Sequence, residues 1–349
     1  MKMSGTASCS FDLNAPGKDS GFLLIGDSTN NSGWANYQVP IIKIKNGEGP
    51  TVLVLGGNHG DEYEGQIVAS ALSRQLQPED VCGRVIIIPC LSQEASRAGT
   101  RLWPNGANFN RVFPGEENGT LDQKLAFFMS NDLFPICDGV LDMHSGGRSM
   151  HFIPSSNMVW VSDANQRARM IKNMLAWNTD VHMIGGEQPS TNPFALLNRE
   201  AERQDKSVST GEFGGSGYTT PESVKIIGNG LRNFLIDFGV LKGIPKTRAQ
   251  LGQKAAEIID FRDPAGFISA TKAGIYENCV PLGGLVNQGE VVGKIHDFDH
   301  PDVAPVIITT PVTGVVSVIR GFPPVTTGDV VCVVGKKFSS LDEMVKVEG

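Results

Sequence analysis

The 349-residue chain is poor in aromatics (7%), in histidine (six) and in cysteine (six), and it has no long apolar run. Each shortage excludes something. No window approaches the ~18 consecutive apolar residues of a membrane-spanning helix. The N-terminal stretch MKMSGTASCSFDLNAPGKDSG lacks the apolar core of a secretory signal, so a cytoplasmic location is expected. Cys9, Cys82, Cys90, Cys137, Cys279 and Cys332 are scattered without a CxxC pair, which argues against a disulfide framework or a thiolate metal site. Thirty Lys and Arg stand against thirty-seven Asp and Glu, a formal charge of −7. Nucleic acid and anionic membrane are therefore not expected partners. Any metal should be held by nitrogen and oxygen.

What is present is a long, glycine-rich chain (41 Gly, 20 Pro) with an ordinary apolar share of 40%. It is long enough for two domains. Residues 1–48 lack helical periodicity, with a strand expected over 37–44. From residue 51 the texture alternates. Strands are expected over 52–55, 85–88, 139–143 and 208–213, and helices over 64–76, 121–134, 164–177 and 224–240. The first helix should bury Ile67, Ala71 and Leu72, and residues 90–119 should be irregular. Continuously apolar strands that alternate with helices predict an α/β fold: a mixed, largely parallel sheet with helices on both faces. Beyond residue 263 short β-rich pieces separated by Gly, Pro and Asn predict a small all-β domain. That domain should cap the site or form an oligomer contact. The expected division is 1–44, a β-rich segment; 45–243, the catalytic domain; 244–262, a connector; and 263–349, the C-terminal β domain.

Ligands on such sheets gather outside the carboxyl ends of the strands, and three motifs fall there. LVLGGNHGDEYEG sets His59 and Glu62 after the first central strand, DMHSGG places His144 at the end of another, and TGEFGGSG places Glu212 at the end of a third. An HxxE spacing alone is a weak signal; the three strand ends together are specific. Two imidazoles and one carboxylate leave the fourth position of a tetrahedral zinc open, as in hydrolytic rather than structural sites. Asp142 lies two residues before His144 and would share its face, either supporting the imidazole or remaining a solvated strand-end acid. HDFDH, with His296 and His300, reads as a surface hairpin, and His151 and His182 have no evident partner ligands, so that either could line the pocket instead.

These motifs resemble those of the succinylglutamate desuccinylase/aspartoacylase family, relatives of the zinc carboxypeptidases, over residues 45–335. The resemblance implies a zinc-carboxypeptidase-like fold and one zinc ion per subunit on His59, Glu62 and His144. It implies a general base at Glu212 and a carbonyl-polarising arginine at Arg101, with Arg97 as the alternative. It also implies that Asn110 and Arg111 of NFNRVFPG hold a substrate carboxylate. No residue matches the arginine that aspartoacylase itself uses for a second carboxylate; Arg148 and Arg199 are the candidates to stand in. Within the family, RLWPNGANFNRVFPG, DMHSGGRSM and LAWNTDVH are most similar to the deacetylases of N-acetyl-diaminobutyrate in ectoine breakdown. The expected function is zinc-dependent removal of a small acyl group, acetyl first, from an N-acylated amino acid. The alternatives are a carboxypeptidase-like peptidase and a non-catalytic zinc or metabolite-binding module.

Overall fold

An arm of three antiparallel strands forms one edge of the large sheet. In the computed structural model, which describes residues 7–186 and 195–348, β1 (Ala7–Cys9) pairs with β2 (Gly17–Thr29). That strand forms a long hairpin with β3 (Ser32–Asn46). Then come β4 (Thr51–Gly56), α1 (Tyr63–Gln75), β5 (Gly83–Ile88), α2 (Gln93–Ala98), α3 (Leu121–Phe128) and β6 (Gly139–His144). They are followed by β7 (Met150–Phe152), β8 (Ser155–Val159), α4 (Ala164–Leu175), β9 (Val181–Gly185), α5 (Leu197–Arg203), β10 (Ser207–Glu212) and α6 (Pro221–Asp237).

Every position of β4, β5 and β6 is buried. The reason lies in the period-2 geometry of strands. Val52 and Val54 point to one face, against Val68 and Leu72 of α1 and Ile227, Leu231 and Phe234 of α6. Leu53 and Leu55 point to the other, into a core with Phe109, Phe128 and Met170. Both faces are covered, so the strands read as unbroken apolar runs. The buried stripe of α1 is Gly65, Val68, Ala69 and Leu72; Ile67, expected inside, is exposed. Phe234 is fully buried, with its ring 6.1 Å from that of Trp177. Truncating it to alanine would cost about 3–5 kcal/mol.

The C-terminal region contributes β11 (Glu257–Asp260), β12 (Phe267–Ser269), β13 (Gly274–Asn278), β14 (Leu285–Val286), β15 (Val291–His296) and β16 (Val306–Thr309). It ends with β17 (Gly314–Arg320), β18 (Pro324–Val325), β19 (Val330–Phe338) and α7 (Leu341–Glu348). A four-stranded sheet, β16-β15-β13-β18, closes its own core of Ile268, Tyr276, Val292, Val316 and Val331.

The large sheet has 15 strands, in the order β1-β2-β3-β5-β4-β6-β10-β8-β9-β11-β19-β17-β14, with β12 and β7 added at β19 and β17. The expectation of a largely parallel sheet holds only for its centre. Parallel pairing is confined to β5-β4-β6-β10 and to β8-β9-β11. The arm, the β10–β8 junction and the C-terminal strands are antiparallel. Helical crossovers enforce parallel neighbours, whereas the arm is a hairpin and pairs directly in opposition. The segment read as a connector carries β11, which joins β9 to β19 and makes the sheet continuous with the C-terminal region. Residues 90–119 are mostly irregular but include α2 and a 3₁₀ turn at Phe109–Arg111.

Candidate functional site

The site forms where three central strands end. Backbone leaves β4 through Gly57, and His59 follows in the turn, with Glu62 immediately ahead of α1. His144 is the last residue of β6, and Glu212 is the last residue of β10 and its register partner. His59, Glu62 and His144 are buried at 3%, 2% and 7% exposure, with a ligand atom of each within 4.8 Å of the others. His59 Nδ1 lies 2.7 Å from Glu62 Oε1, and His144 Nδ1 lies 2.7 Å from Glu62 Oε2.

The far sides of both rings determine what the near sides offer. His59 Nε2 lies 3.2 Å from Asn108 Oδ1, and His144 Nε2 lies 2.8 Å from Asp142 Oδ2. Both are acceptors, so with a cation bound each Nε2 would carry the proton and each Nδ1 would present a lone pair beside the Glu62 carboxylate. Lone pairs facing a carboxylate need a cation between them. Two imidazoles and one carboxylate, converging from the turn after β4 and the end of β6, fit a divalent metal such as zinc, and equally cobalt, manganese or iron. In the metal-free protein the same convergence perturbs titration. Burial pushes His59 below its usual pKa, against the pull of Glu62. Burial also opposes charge on His144, but Asp142 and Glu62 outweigh it and raise the imidazole well above its usual value. Burial favours neutral Glu62, yet the two histidines hold its carboxyl well below the usual range.

Glu212 stands apart from this web. Its Oε2 is buried without a hydrogen-bond partner. Burial first, then the nearby Glu62 charge, pushes its carboxyl well above the usual carboxylate range. A carboxyl so placed keeps its proton to higher pH than an exposed glutamate, which suits it to proton exchange.

A cavity of about 430 Å³ opens above these residues, lined also by Arg101, Asn110, Arg111, Ser149, Met150, Phe152, Asn198 and Thr210. Arg101 donates to Glu62 Oε1 at 2.9 Å. Asn110 accepts the Leu197 N–H through Oδ1 at 2.9 Å, which leaves its amide nitrogen as a donor. Arg111 is anchored on the Asn110 carbonyl at 2.7 Å, and burial lowers its pKa, with Arg101 adding to the effect. The structure thus brings together His59, Glu62, His144, Glu212, Arg101, Asn110 and Arg111. Arg97 is exposed on α2 and bonds Gln93, away from the cavity. Neither candidate for a second-carboxylate arginine lines it: Arg148 lies 4.0 Å over the Phe322 ring, and Arg199 pairs with Glu202. His151 lies behind the site against Tyr218, and His182 is buried on Ser156, so neither lines this cavity. His296 ends β15 beside Glu277, and His300 lies on the exposed β15–β16 connection beside Asp297.

The sequence from 48 to 237 matches the profile of the succinylglutamate desuccinylase/aspartoacylase catalytic domain. The chain belongs to the succinylglutamate desuccinylase/aspartoacylase family. One relative in this family is the N-alpha-acetyl-L-2,4-diaminobutyric acid deacetylase of Halomonas elongata, 36% identical over 335 residues, 96% of each chain. Among solved structures, the succinylglutamate desuccinylase/aspartoacylase from Rhodobacter sphaeroides superposes with a TM-score of 0.89 at 36% identity. The match covers 96% of this chain and 99% of that one. The product-bound ectoine utilization protein EutE (DoeB) of Ruegeria pomeroyi superposes equally, at 32% identity over 95% and 99% of the two chains.

Three residues of the site escaped the sequence reading. Asn108 orients His59, Asn58 donates to Asp142 Oδ2 at 2.7 Å, and the Ser145 N–H donates to Glu62 Oε2 at 3.2 Å. Their signal was adjacency: Asn58 and Ser145 flank His59 and His144 directly. Asn108 lies 49 positions from His59, and no local pattern links them.

Proposed function

We propose that the protein is a zinc-dependent amidohydrolase, holding one zinc per subunit, that removes an acetyl group from an N-acylated amino acid. The leading substrate is N-acetyl-L-2,4-diaminobutyrate. The observation that carries the reading is the orphaned carboxylate oxygen of Glu212 one strand across from His144, beside a donor set built for a cation. The deacetylase name of the Halomonas elongata relative and the product-bound EutE structure support the substrate class.

Zinc would be held by His59, Glu62 and His144 and, when bound, would supply Lewis acidity and lower the pKa of water at the site. Glu212 takes the proton of the nucleophilic water and returns it to the departing nitrogen, a role typically worth about 10²- to 10⁴-fold. Arg101 donates toward the scissile carbonyl as negative charge develops there, a contribution on the order of 3 kcal/mol. The forked donors of Arg111 and the free amide of Asn110 hold the substrate carboxylate. A cavity of about 430 Å³ suits an acylated amino acid better than a peptide. We assign this chemistry to residues 45–243 and a supporting role to residues 263–349.

The test is acetate release by zinc-loaded protein from a panel of N-acetyl amino acids and short peptides. Turnover of acetylated diaminobutyrate ahead of the others is expected. Cleavage of peptides instead would establish the peptidase alternative, and a zinc-replete protein inert toward the whole panel would overturn the reading.

A further inference from the structure

The loop that follows His144 is tied on three sides. On the first, the Arg148 N–H donates to Asp61 Oδ2 at 2.8 Å, and Asp61 lies between the metal-ligand positions His59 and Glu62. On the second, the loop is laced to the turn that follows Glu212. Gly146 and Phe152 donate to the Gly214 carbonyl at 3.1 and 2.9 Å, while Ser216 and Gly217 donate to Met150 and Gly147 at 2.8 and 2.9 Å. On the third, β7 is annexed by β17 of the C-terminal region, Ile153 donating to Ser317 at 3.1 Å and Gly321 to Ser149 at 2.8 Å.

The fit leaves no slack. Gly147 has φ +53°, and a Cβ there would meet Asp61 Oδ2 at 2.5 Å; at Gly215, with φ +130°, a Cβ would meet the Met150 carbonyl at 2.2 Å. The Asp61 carboxylate itself is buried at 7% exposure. Meanwhile Arg101, Asn110 and Arg111 come from a separate segment that this lacing does not include.

We propose that Asp61 is a positioning residue, the hydrogen-bonded end of a strap that runs through loop 146–152 and sets Glu212 relative to the metal ligands. The C-terminal β region anchors the strap's other edge. Asp61 touches neither substrate nor reacting atoms; it acts through Arg148 N–H and the paired loops. The inference rests on the assignment of Glu212 and the metal triad made above.

The experiment compares wild type, Asp61→Ala and Asp61→Asn as zinc-loaded full-length proteins. Zinc content, kcat and KM on the best N-acetyl amino acid, and backbone hydrogen exchange are measured for each. Asp61→Ala should keep its zinc, and its KM should change less than its kcat, because Arg101, Asn110 and Arg111 stay in place although Ser149, Met150 and Phe152 of the strapped loop line the cavity. Its kcat should fall by about 10- to 100-fold, the scale of a misplaced reacting group, and amides of 146–152 and 213–218 should exchange faster. Asp61→Asn retains the acceptor and should recover most of the lost turnover. Unchanged kcat in Asp61→Ala, or a loss that only tracks missing zinc, would overturn the strap; so would an Asn variant as impaired as the Ala variant. Inert wild-type protein would instead sink the functional assignment, with the exchange measurement still reporting on the strap.

Discussion

His144 and Glu212 are partners in a parallel register, each the final residue of its strand. Neighbouring strands lie about 4.8 Å apart and register partners project to the same face. The sheet therefore delivers an imidazole and a carboxyl side by side without any loop adjustment. Two residues back in the same register, Asp142 pairs with Thr210, which puts the acid beneath the imidazole it supports and the hydroxyl beneath Glu212.

Glu212→Gln removes the exchangeable proton while keeping shape and volume. Zinc should remain bound at wild-type stoichiometry, and kcat should fall by about 10²- to 10⁴-fold. Metal analysis with single-turnover acetate release checks both halves. Near-normal turnover would take Glu212 out of the reaction.

Asp142→Asn weakens the acceptor that holds His144 Nε2 at 2.8 Å. Loss of such a support typically costs about 10- to 100-fold in metal affinity. A competition titration of zinc against a chelator reads this directly, and an unchanged affinity would reduce Asp142 to a strand-end acid.

Arg111→Ala should separate recognition from chemistry. Substrates with a free carboxylate should lose about 10- to 100-fold in kcat/KM, the scale of a charge-assisted hydrogen-bonding pair. The corresponding amino-acid amides should lose far less. Equal losses on both would mark Arg111 as a scaffold for its loop.

His182 supplies a pH test outside the site. Burial, helped by the Arg248 guanidinium, pushes its pKa down to about 3, and Ser156 Oγ lies 2.7 Å from its Nδ1. The unfolded chain binds this proton at about pH 6.5, the folded chain only near 3. Stability from the neutral imidazole is thus complete above about pH 6.5 and drains away as pH falls toward 3, on the order of 4 kcal/mol in all. Denaturant unfolding across that window should be flatter for His182→Gln than for wild type. Parallel pH profiles would refute the assignment.

How far the chain could be read without coordinates varied by element. The apolar stretches within β4 and β6 and the glycines at or just beyond the ends of β4, β6 and β10 point to strand ends, so His59, Glu62, His144 and Glu212 are legible as neighbours. Only the second strand of the β2–β3 hairpin is legible, because the hairpin's outward residues are polar and it pairs with itself, with the short β1 and with β5. Strand β11 looked like a polar connector, since four residues carry little periodicity and its partners lie in β9 and β19, far along the chain.

Residue type and spacing along the chain were enough to specify the candidate donor set, the alternation of strands and helices around β4, β5, β6 and β10, and the family. Those depend on local periodicity and on turn chemistry, which adjacent residues encode. Folding alone established that Asn108 meets His59, that Asp61 grips the loop after His144, and that β17 annexes β7. Such contacts join segments tens or hundreds of positions apart, and they follow from register and crossover geometry that no stretch of sequence carries within itself.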